Sequence, residues 1–343
     1  MTQSQPSVKT SLIEITKKLA KEPPCRIFLK CEYEQPSGSF KLRGMGHLIG
    51  TSLEEASKSG KKIEVFSSSG GNAGLAAAYA SKHYGFPCTV VLPVSSKPVV
   101  IEKLEGLGAK VVVHGKHWGE ADGYLRDDVI KHLDDSIYPV YCHPFEHPLL
   151  WDGHGKFIDE IVEEKQLTPE ELSKVKGVVC SVGGGGLYNG VVNGLERNEE
   201  LKDVPVLAIE THQTPTFKVA VEAGKVVHLN EINTLSTSLG SPYVSEKSLS
   251  NYKSHKTSLE VIDDLDAVKG MIDFYDLTGN LTEPACGASL SVAFDKIQLL
   301  KDFGELEKDD IVIIVACGGS GVSASTLEDY RKLVNERDAK EKI

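Results

Sequence analysis

Three short apolar runs in this chain each end in a turn of glycine and serine that opens into a helical pattern. Ile63-Glu64-Val65-Phe66 leads into Ser67-Ser68-Ser69-Gly70-Gly71-Asn72-Ala73-Gly74 and an alanine-rich stretch to Tyr84. Gly177 to Ser181 leads into Val182-Gly183-Gly184-Gly185-Gly186-Leu187, and a helix is read from Gly190 to Glu196. Ile311 to Ala316 leads into Cys317-Gly318-Gly319-Ser320-Gly321, with a last helix from Ser325 to Lys340. A buried strand that passes through a tight turn into a helix is the repeating unit of a parallel sheet. The same alternation covers Cys88–Leu92 then Pro98–Leu107, Ala109–Val113 then Ala121–Leu133, and Val206–Ile209 then Phe217–Ala223. The fold class is therefore α/β. The remaining segments predict a helix over Ser11–Lys21, a strand over Arg26–Cys31, a loop-rich region over Gly224–Leu259, and helices over Phe157–Lys165, Val261–Asp276 and Ala285–Leu300. A chain of 343 residues is large for a single core, so two domains sharing a cleft are expected.

The net charge of −11 opposes nucleic acid and anionic membrane as partners, so an anionic ligand has to be held locally. The longest apolar run, Ile311 to Ala316, has strand length and falls far short of the ~20 residues of a membrane span. Seven scattered cysteines with no CxxC pair fit reduced thiols rather than a disulfide framework. The first residues lack an apolar signal core and contain no arginine, so a cytoplasmic location is expected.

The chemistry gathers in four stretches. Ser37-Gly38-Ser39-Phe40-Lys41-Leu42-Arg43-Gly44 sets a lysine behind an aromatic ring at a helix start. Lysine is an imine-forming nucleophile when burial or nearby charge frees its amine; taken alone, the octapeptide reads equally well as a surface lysine. The Ser67–Gly74 turn offers amides and the Asn72 side chain to a carboxylate or phenolate, or is a βα turn capped by Asn72. Four consecutive glycines, Gly183 to Gly186, make a nest of N–H groups suited to a phosphate. Neither the dinucleotide fingerprint nor the P-loop ending is present, so a monophosphate fits better. Cys317 ends the last strand, where open α/β sheets bind ligands, though a small buried cysteine reads the same. Glu210 ends a strand and could hold a cation. Glu283, ahead of a helix, is read as helix N-terminal charge.

Together these segments resemble the fold-type II pyridoxal-phosphate (PLP) enzymes, and closely the L-serine/L-threonine dehydratases. The attachment-site pattern over Glu32 to Gly44, then SSSGGNAG, His143-Pro144-Phe145 with Trp151-Asp152-Gly153-His154, SVGGGG, EPACGA and ACGGS follow in the family's order from about Thr10 to Ser325. The resemblance implies a tryptophan synthase beta-like fold of two open twisted α/β domains with the cofactor in the cleft. Residues 1–47 plus 149–343 would form the large domain and 48–148 the small one. It implies that Lys41 carries PLP and acts as the base, that Phe40 stacks on the ring, and that Asn72 meets its phenolic oxygen. Gly183, Gly184, Gly185 and Gly186 would hold the phosphate, and Cys317 would meet the pyridine nitrogen. Ser69, Gly70 and Asn72 would surround the substrate carboxylate, with Phe145 lining the pocket. A monovalent cation, potassium, would sit on Glu210 and the carbonyls of Thr214, Leu239 and Ser241. The implied reaction is β-elimination of L-serine to pyruvate and ammonia, and of L-threonine to 2-oxobutanoate and ammonia. The implied setting is catabolic, feeding gluconeogenesis, in a homodimer.

Serine racemase is the nearest alternative. That family places a serine directly before the Gly-Asn pair as a second base, and this chain has Gly70 there. Cysteine synthase carries threonine where Ser69-Gly70 stand, and biosynthetic threonine deaminase carries a C-terminal regulatory domain for which the residues past the last strand leave no room. A non-catalytic PLP-binding sensor is the alternative from another class.

Overall fold

The computed structural model describes residues 4–340. Ten strands occur among them: β1 (Leu12–Glu14), β2 (Arg26–Lys30), β3 (Lys62–Ser67), β4 (Cys88–Leu92), β5 (Lys110–Val113), β6 (Ile137–Tyr141), β7 (Val175–Ser181), β8 (Val206–Thr211), β9 (Thr257–Ile262) and β10 (Ile311–Val315). The α-helices are α1 (Lys41–Ser59), α2 (Asn72–Tyr84), α3 (Pro98–Gly106), α4 (Trp118–Tyr124), α5 (Pro148–Glu163), α6 (Pro169–Leu172), α7 (Gly186–Arg197), α8 (Thr216–Ala223), α9 (Glu246–Ser254), α10 (Asp264–Thr278), α11 (Pro284–Leu290) and α12 (Ala324–Lys340). They pack as two compact units. The first takes residues 4–8 and Gln35–His154, a wider span than 48–148, and so includes α1; the second takes Lys9–Glu34 and 155–340.

The first unit is built on a parallel sheet in the order β5-β4-β3-β6. Val65 of β3 lies opposite Cys88 on one side and Val140 on the other. Leu42, Met45, Leu48 and Ile49 of α1 and Ala73, Ala76, Ala77 and Ala80 of α2 are buried in one core with Val65 and Val90. Alanine leaves little side chain between helix and sheet, so α2 lies close to the strands whose turns it follows. The helix expected over Ala121–Leu133 does not run through: α4 stops at Tyr124, a π turn takes Leu125–Val129, and a 3₁₀ turn takes Ile130–His132. The wider turn resets the helix phase. Leu125, Val129, Ile130 and Leu133 thereby all pack around Phe66 and Val91.

The second unit is built on a sheet in the order β1-β2-β10-β7-β8-β9, with β1 antiparallel and every other pair parallel. All five residues of β10 are buried, which explains its unbroken β-branched sequence. Ile313 is opposite Phe28 of β2 and Val178 of β7. The helix expected over Ser11–Lys21 is instead β1 and a 3₁₀ turn at Thr16–Lys18. So short a helix is marginal alone, and pairing Leu12 with Lys30 and Ile13 with Leu29 satisfies the same backbone groups. The helix expected from Val261 begins only at Asp264, where the Asp263 side chain accepts from the Leu265 amide at 2.9 Å. Residues before that cap form edge strand β9, so the loop-rich region holds both α9 and part of β9. The helix expected over Ala285–Leu300 ends at Leu290 and continues as separate 3₁₀ turns. Lys30 is wholly buried in β2, where its ammonium reaches Glu160 at 2.8 Å, Gln166 at 2.9 Å and the Thr10 carbonyl at 3.0 Å.

Candidate active site

In the first unit the site residues stand at the carboxyl ends of β3 and β6. These strands are neighbours, so the Ser67–Gly74 turn and the 142–147 loop lie side by side. The Cys142 amide donates to the Phe66 carbonyl at 2.7 Å, and the Ser67 hydroxyl to the Cys142 carbonyl at 3.3 Å. Lys41 is the first residue of α1, and its ammonium donates to the Pro144 carbonyl at 2.5 Å. It stands 5.1 Å from the centroid of the Phe40 ring. Lys41, Phe40 and Phe145 are thus brought to one place from segments about a hundred residues apart.

The Pro144 loop is held by His143. Its Nδ1 accepts from the amides of Phe145 at 3.2 Å and Glu146 at 2.8 Å, so that nitrogen is the unprotonated one. Burial pushes the His143 pKa down to about 4; Lys41 and Arg126 act in the same direction, while Asp122 opposes them. The Trp151 indole donates to the Phe145 carbonyl at 2.7 Å and fixes the far side of the loop. The Phe40 ring meets the His154 imidazole edge to face, with centroids 4.8 Å apart. A Cβ on Gly44 would fall 2.3 Å from His154 Cε1 and 2.8 Å from the Leu150 carbonyl, so only glycine lets α1 lie against α5 here. Burial keeps His154 neutral, and among the described residues neither ring nitrogen has a hydrogen-bond partner.

The Ser67–Gly74 turn carries Ser69, Gly70 and Asn72. The Ser69 hydroxyl accepts from the Gly71 amide at 3.2 Å, and Asn72 opens α2. Beneath the turn the buried Asp122 carboxylate accepts from the Ser68 hydroxyl at 2.7 Å, from Arg126 at 2.8 Å and from the Tyr141 hydroxyl. A Cβ built on Gly70 points at Val100 Cγ1, 3.1 Å away, and Leu92 Cδ2, 3.2 Å away.

In the second unit Gly183 to Gly186 join β7 to α7. Among the described residues no hydrogen-bond acceptor engages the amides of these four glycines, which is the state expected of a phosphate nest at a helix start. The cradle depends on missing side chains. A Cβ on Gly183 would lie 2.8 Å from the Leu239 carbonyl, and one on Gly185 would lie 2.0 Å from Ser248 Oγ. Asn189 of α7 ties the turn to α9: it donates to Ser245 Oγ at 2.9 Å and accepts from Ser248 at 3.0 Å and Asn251 at 3.1 Å.

Glu210 is wholly buried at the end of β8. Its carboxylate accepts from the Phe217 amide at 2.7 Å, the Lys218 amide at 2.9 Å and the Thr216 hydroxyl at 3.2 Å. Thr216 also donates to the Gly183 carbonyl at 3.2 Å, so the carboxylate and the glycine turn share one corner. Every one of those donors is an amide or a hydroxyl, and burial raises the Glu210 pKa to about 7. The Leu239 carbonyl accepts from Thr214 Oγ1 at 3.4 Å and the Ser241 amide at 2.7 Å, which brings Thr214, Leu239 and Ser241 together.

Cys317 follows β10 and is buried. Its hydrogen bond with Cys286 raises its pKa well above the ordinary value, and burial adds to this. Ser289 of α11 stitches the two central strands together, donating to the Val315 carbonyl at 2.9 Å while its amide donates to Ser181 Oγ at 3.0 Å. Glu283 is the N-cap residue of α11, as its sequence position suggested, but makes no side-chain cap hydrogen bond; its carboxylate accepts from the Gly321 amide at 2.7 Å and from the Ser238 hydroxyl. The roles of Asp122, His154 and the Ser245–Ser248–Asn189 group were not legible in the sequence, because each depends on a partner distant along the chain.

Residues 5–318 match the family described as pyridoxal-phosphate dependent enzyme. The catabolic L-serine/threonine dehydratase of Saccharomyces cerevisiae is 40% identical over 316 residues, 91% of this chain and 88% of that protein. A human protein described as serine dehydratase-like is 39% identical, over 88% of this chain and 87% of its own. The crystal structure of a fungal L-serine ammonia-lyase from Rhizomucor miehei superposes with a TM-score of 0.82 at 30% identity, covering 96% of this chain and 99% of that one. Maize serine racemase shares the fold, with a TM-score of 0.76 at 23% identity, over 95% and 94% of the two chains.

Proposed function

The chain belongs to the pyridoxal-phosphate dependent enzymes, and from that premise we propose that it is an L-serine/L-threonine ammonia-lyase. It would convert L-serine to pyruvate and ammonia, and L-threonine to 2-oxobutanoate and ammonia. The observation that carries the reading is Lys41, set behind Phe40 at the first turn of α1 with its amine drawn to the Pro144 carbonyl. The bare amides of Gly183 to Gly186 fit the cofactor's phosphate. When bound, PLP supplies the electron sink.

The chain's own residues do the rest. Lys41 Nζ would anchor the cofactor and would serve as the base for the substrate's Cα proton. Ser69, Gly70 and Asn72 would hold the substrate carboxylate, Asn72 would also meet the cofactor's phenolic oxygen, and Phe145 would line the pocket. Phe40 would pack on the ring. Cys317 would present a protonated thiol to the ring nitrogen, and a thiol cannot keep that nitrogen protonated as a carboxylate would. A weaker sink favours prompt loss of the β-hydroxyl over transamination. An unchanged ratio of elimination to by-products in Cys317→Asp would remove this part of the argument.

A potassium ion is proposed at Glu210 with the carbonyls of Thr214, Leu239 and Ser241, in support of which stands a buried carboxylate that accepts from two amides and a hydroxyl. We also propose a homodimer in the cytoplasm with a catabolic role. Seven free, buried cysteines support the reducing compartment, and among the described residues no helix is long and apolar enough to cross a membrane. Racemisation is disfavoured because Gly70 supplies no second base.

The test is borohydride reduction followed by peptide mass analysis, with rates of 2-oxo acid formation from L-serine and L-threonine on the same preparation. The expected result is PLP fixed to Lys41 and both products formed. PLP on Lys41 without 2-oxo acid would turn the reading to a sensor, and D-serine formed as fast as pyruvate would turn it to a racemase.

A further inference from the structure

We propose that Glu283 is a positioning residue that clamps the turn after β10 and so sets how Cys317 is presented. The proposal rests on the cofactor reading above. Glu283 sits at the start of the EPACGA segment, a place where a carboxylate would ordinarily serve the helix behind it. Its side chain makes no cap hydrogen bond to α11 and reaches into the 318–321 turn. Oε1 accepts the Gly321 amide at 2.7 Å, and Oε2 accepts the Ser238 hydroxyl.

The turn is shaped around this carboxylate. A Cβ on Gly319 would lie 2.3 Å from Glu283 Cδ, and one on Gly321 would lie 2.9 Å from Oε1. Gly319 also has φ of +126°, which side-chain-bearing residues rarely adopt. Two glycines are therefore needed for the backbone to close over Glu283, and Cys317 is the residue from which that closed turn departs. The Gly318 amide is taken by Cys286 Sγ at 3.4 Å, so both ends of the turn are fixed by α11 and the residue before it.

The clamp also links two loops. Ser238 belongs to the 236–241 turn, whose Leu239 carbonyl closes over Gly183. Glu283 thus joins the turn at Cys317 to the turn that backs the glycine nest, through one carboxylate within the second unit. Cys286 and Glu283 from the α11 segment, and Cys180 from β7, each act electrostatically to push the Cys317 thiol up. The electrostatic influence of Glu283 on Cys317 favours the protonated thiol.

The experiment uses the PLP-loaded enzyme and the variants Glu283→Gln and Ser238→Ala. Gln keeps the shape of the side chain and removes its charge; Ser238→Ala removes one partner of Oε2 and leaves the turn's own residues intact. Hydrogen exchange is measured on the peptide covering 317–322, and the cofactor absorbance is titrated against pH. The expected result is exchange at Gly318–Gly321 at least tenfold faster in Glu283→Gln, a smaller increase in Ser238→Ala, and an absorbance midpoint displaced by half a pH unit or more in Glu283→Gln. Exchange equal to the parent's in Ser238→Ala, or an unmoved absorbance midpoint in a folded Glu283→Gln, overturns the proposal. Borohydride trapping on Lys41 in the parent separates the two failures. Trapping with an unaltered turn defeats the clamp alone, and absence of trapping defeats the cofactor reading, while the exchange result still decides the clamp.

Discussion

Replacing Gly185 with alanine tests the glycine nest most directly. Gly185 has φ of +91° and ψ of −5°, and it caps α7 from the left-handed region. An L-residue there costs about 1–2 kcal/mol in backbone strain. The new methyl would also fall 2.0 Å from Ser248 Oγ and 3.2 Å from Val244 Cγ2, and overpacking of this kind costs about 1–3 kcal/mol. The expected loss is therefore about 2–5 kcal/mol, read as a fall in the urea midpoint at constant slope. The two contributions are separable by a double-mutant cycle. Ser248→Ala removes the 2.0 Å contact and leaves the nearest atoms at 3.2 Å, at the expense of the hydrogen bond to Asn189. Gly185→Ala should then be less damaging by about 1–3 kcal/mol in the Ser248→Ala background, with the backbone strain still in place. A loss under about 0.5 kcal/mol, or an equal loss in both backgrounds, would refute the reasoning about this turn.

Glu160→Gln removes the carboxylate partner of the wholly buried Lys30 ammonium. It should destabilise the protein by about 3–5 kcal/mol, measured as a shift in thermal or urea midpoint. His143 is buried with its pKa down at about 4. Below about 6.5 the unfolded chain binds more protons there than the native one, so the contribution is complete above that pH and drains as pH falls toward 4. The parent should lose about 2 kcal/mol more than His143→Gln between pH 7 and pH 5; equal losses in urea titrations would rule out His143 as the source. Gly70→Ser should not create a racemase, because its Cβ would press on Val100 and Leu92 at 3.1 and 3.2 Å. Chiral chromatography should find D-serine formed far more slowly than pyruvate, and comparable rates would contradict the expectation.

Much of the fold and of the candidate site was legible because strand-end turns announce themselves locally. An apolar run, a cluster of small residues and a helical pattern are contiguous, so the βα units around Asn72 and Gly183 could be read directly. Segments whose state depends on a distant partner were not. Leu12–Glu14 is a strand because β2 pairs with it, and nothing within the segment distinguishes that outcome from a short helix. The helix over Ala121–Leu133 changes phase to keep its apolar side chains on Phe66 and Val91.

The sequence by itself determined the alternation of strand and helix, the position of Lys41 behind Phe40, and the four-glycine turn, since each is a pattern of neighbours along the chain. Tertiary structure decided what those patterns meet. It brought the Pro144 carbonyl to Lys41 from about a hundred residues away, set a neutral His154 against Gly44 and the Phe40 ring, and took the Glu283 carboxylate to the turn after β10. The physical reason is that burial and hydrogen-bond partners are properties of space. Only when the chain has packed does a given carboxylate, imidazole or carbonyl have a direction in which to act.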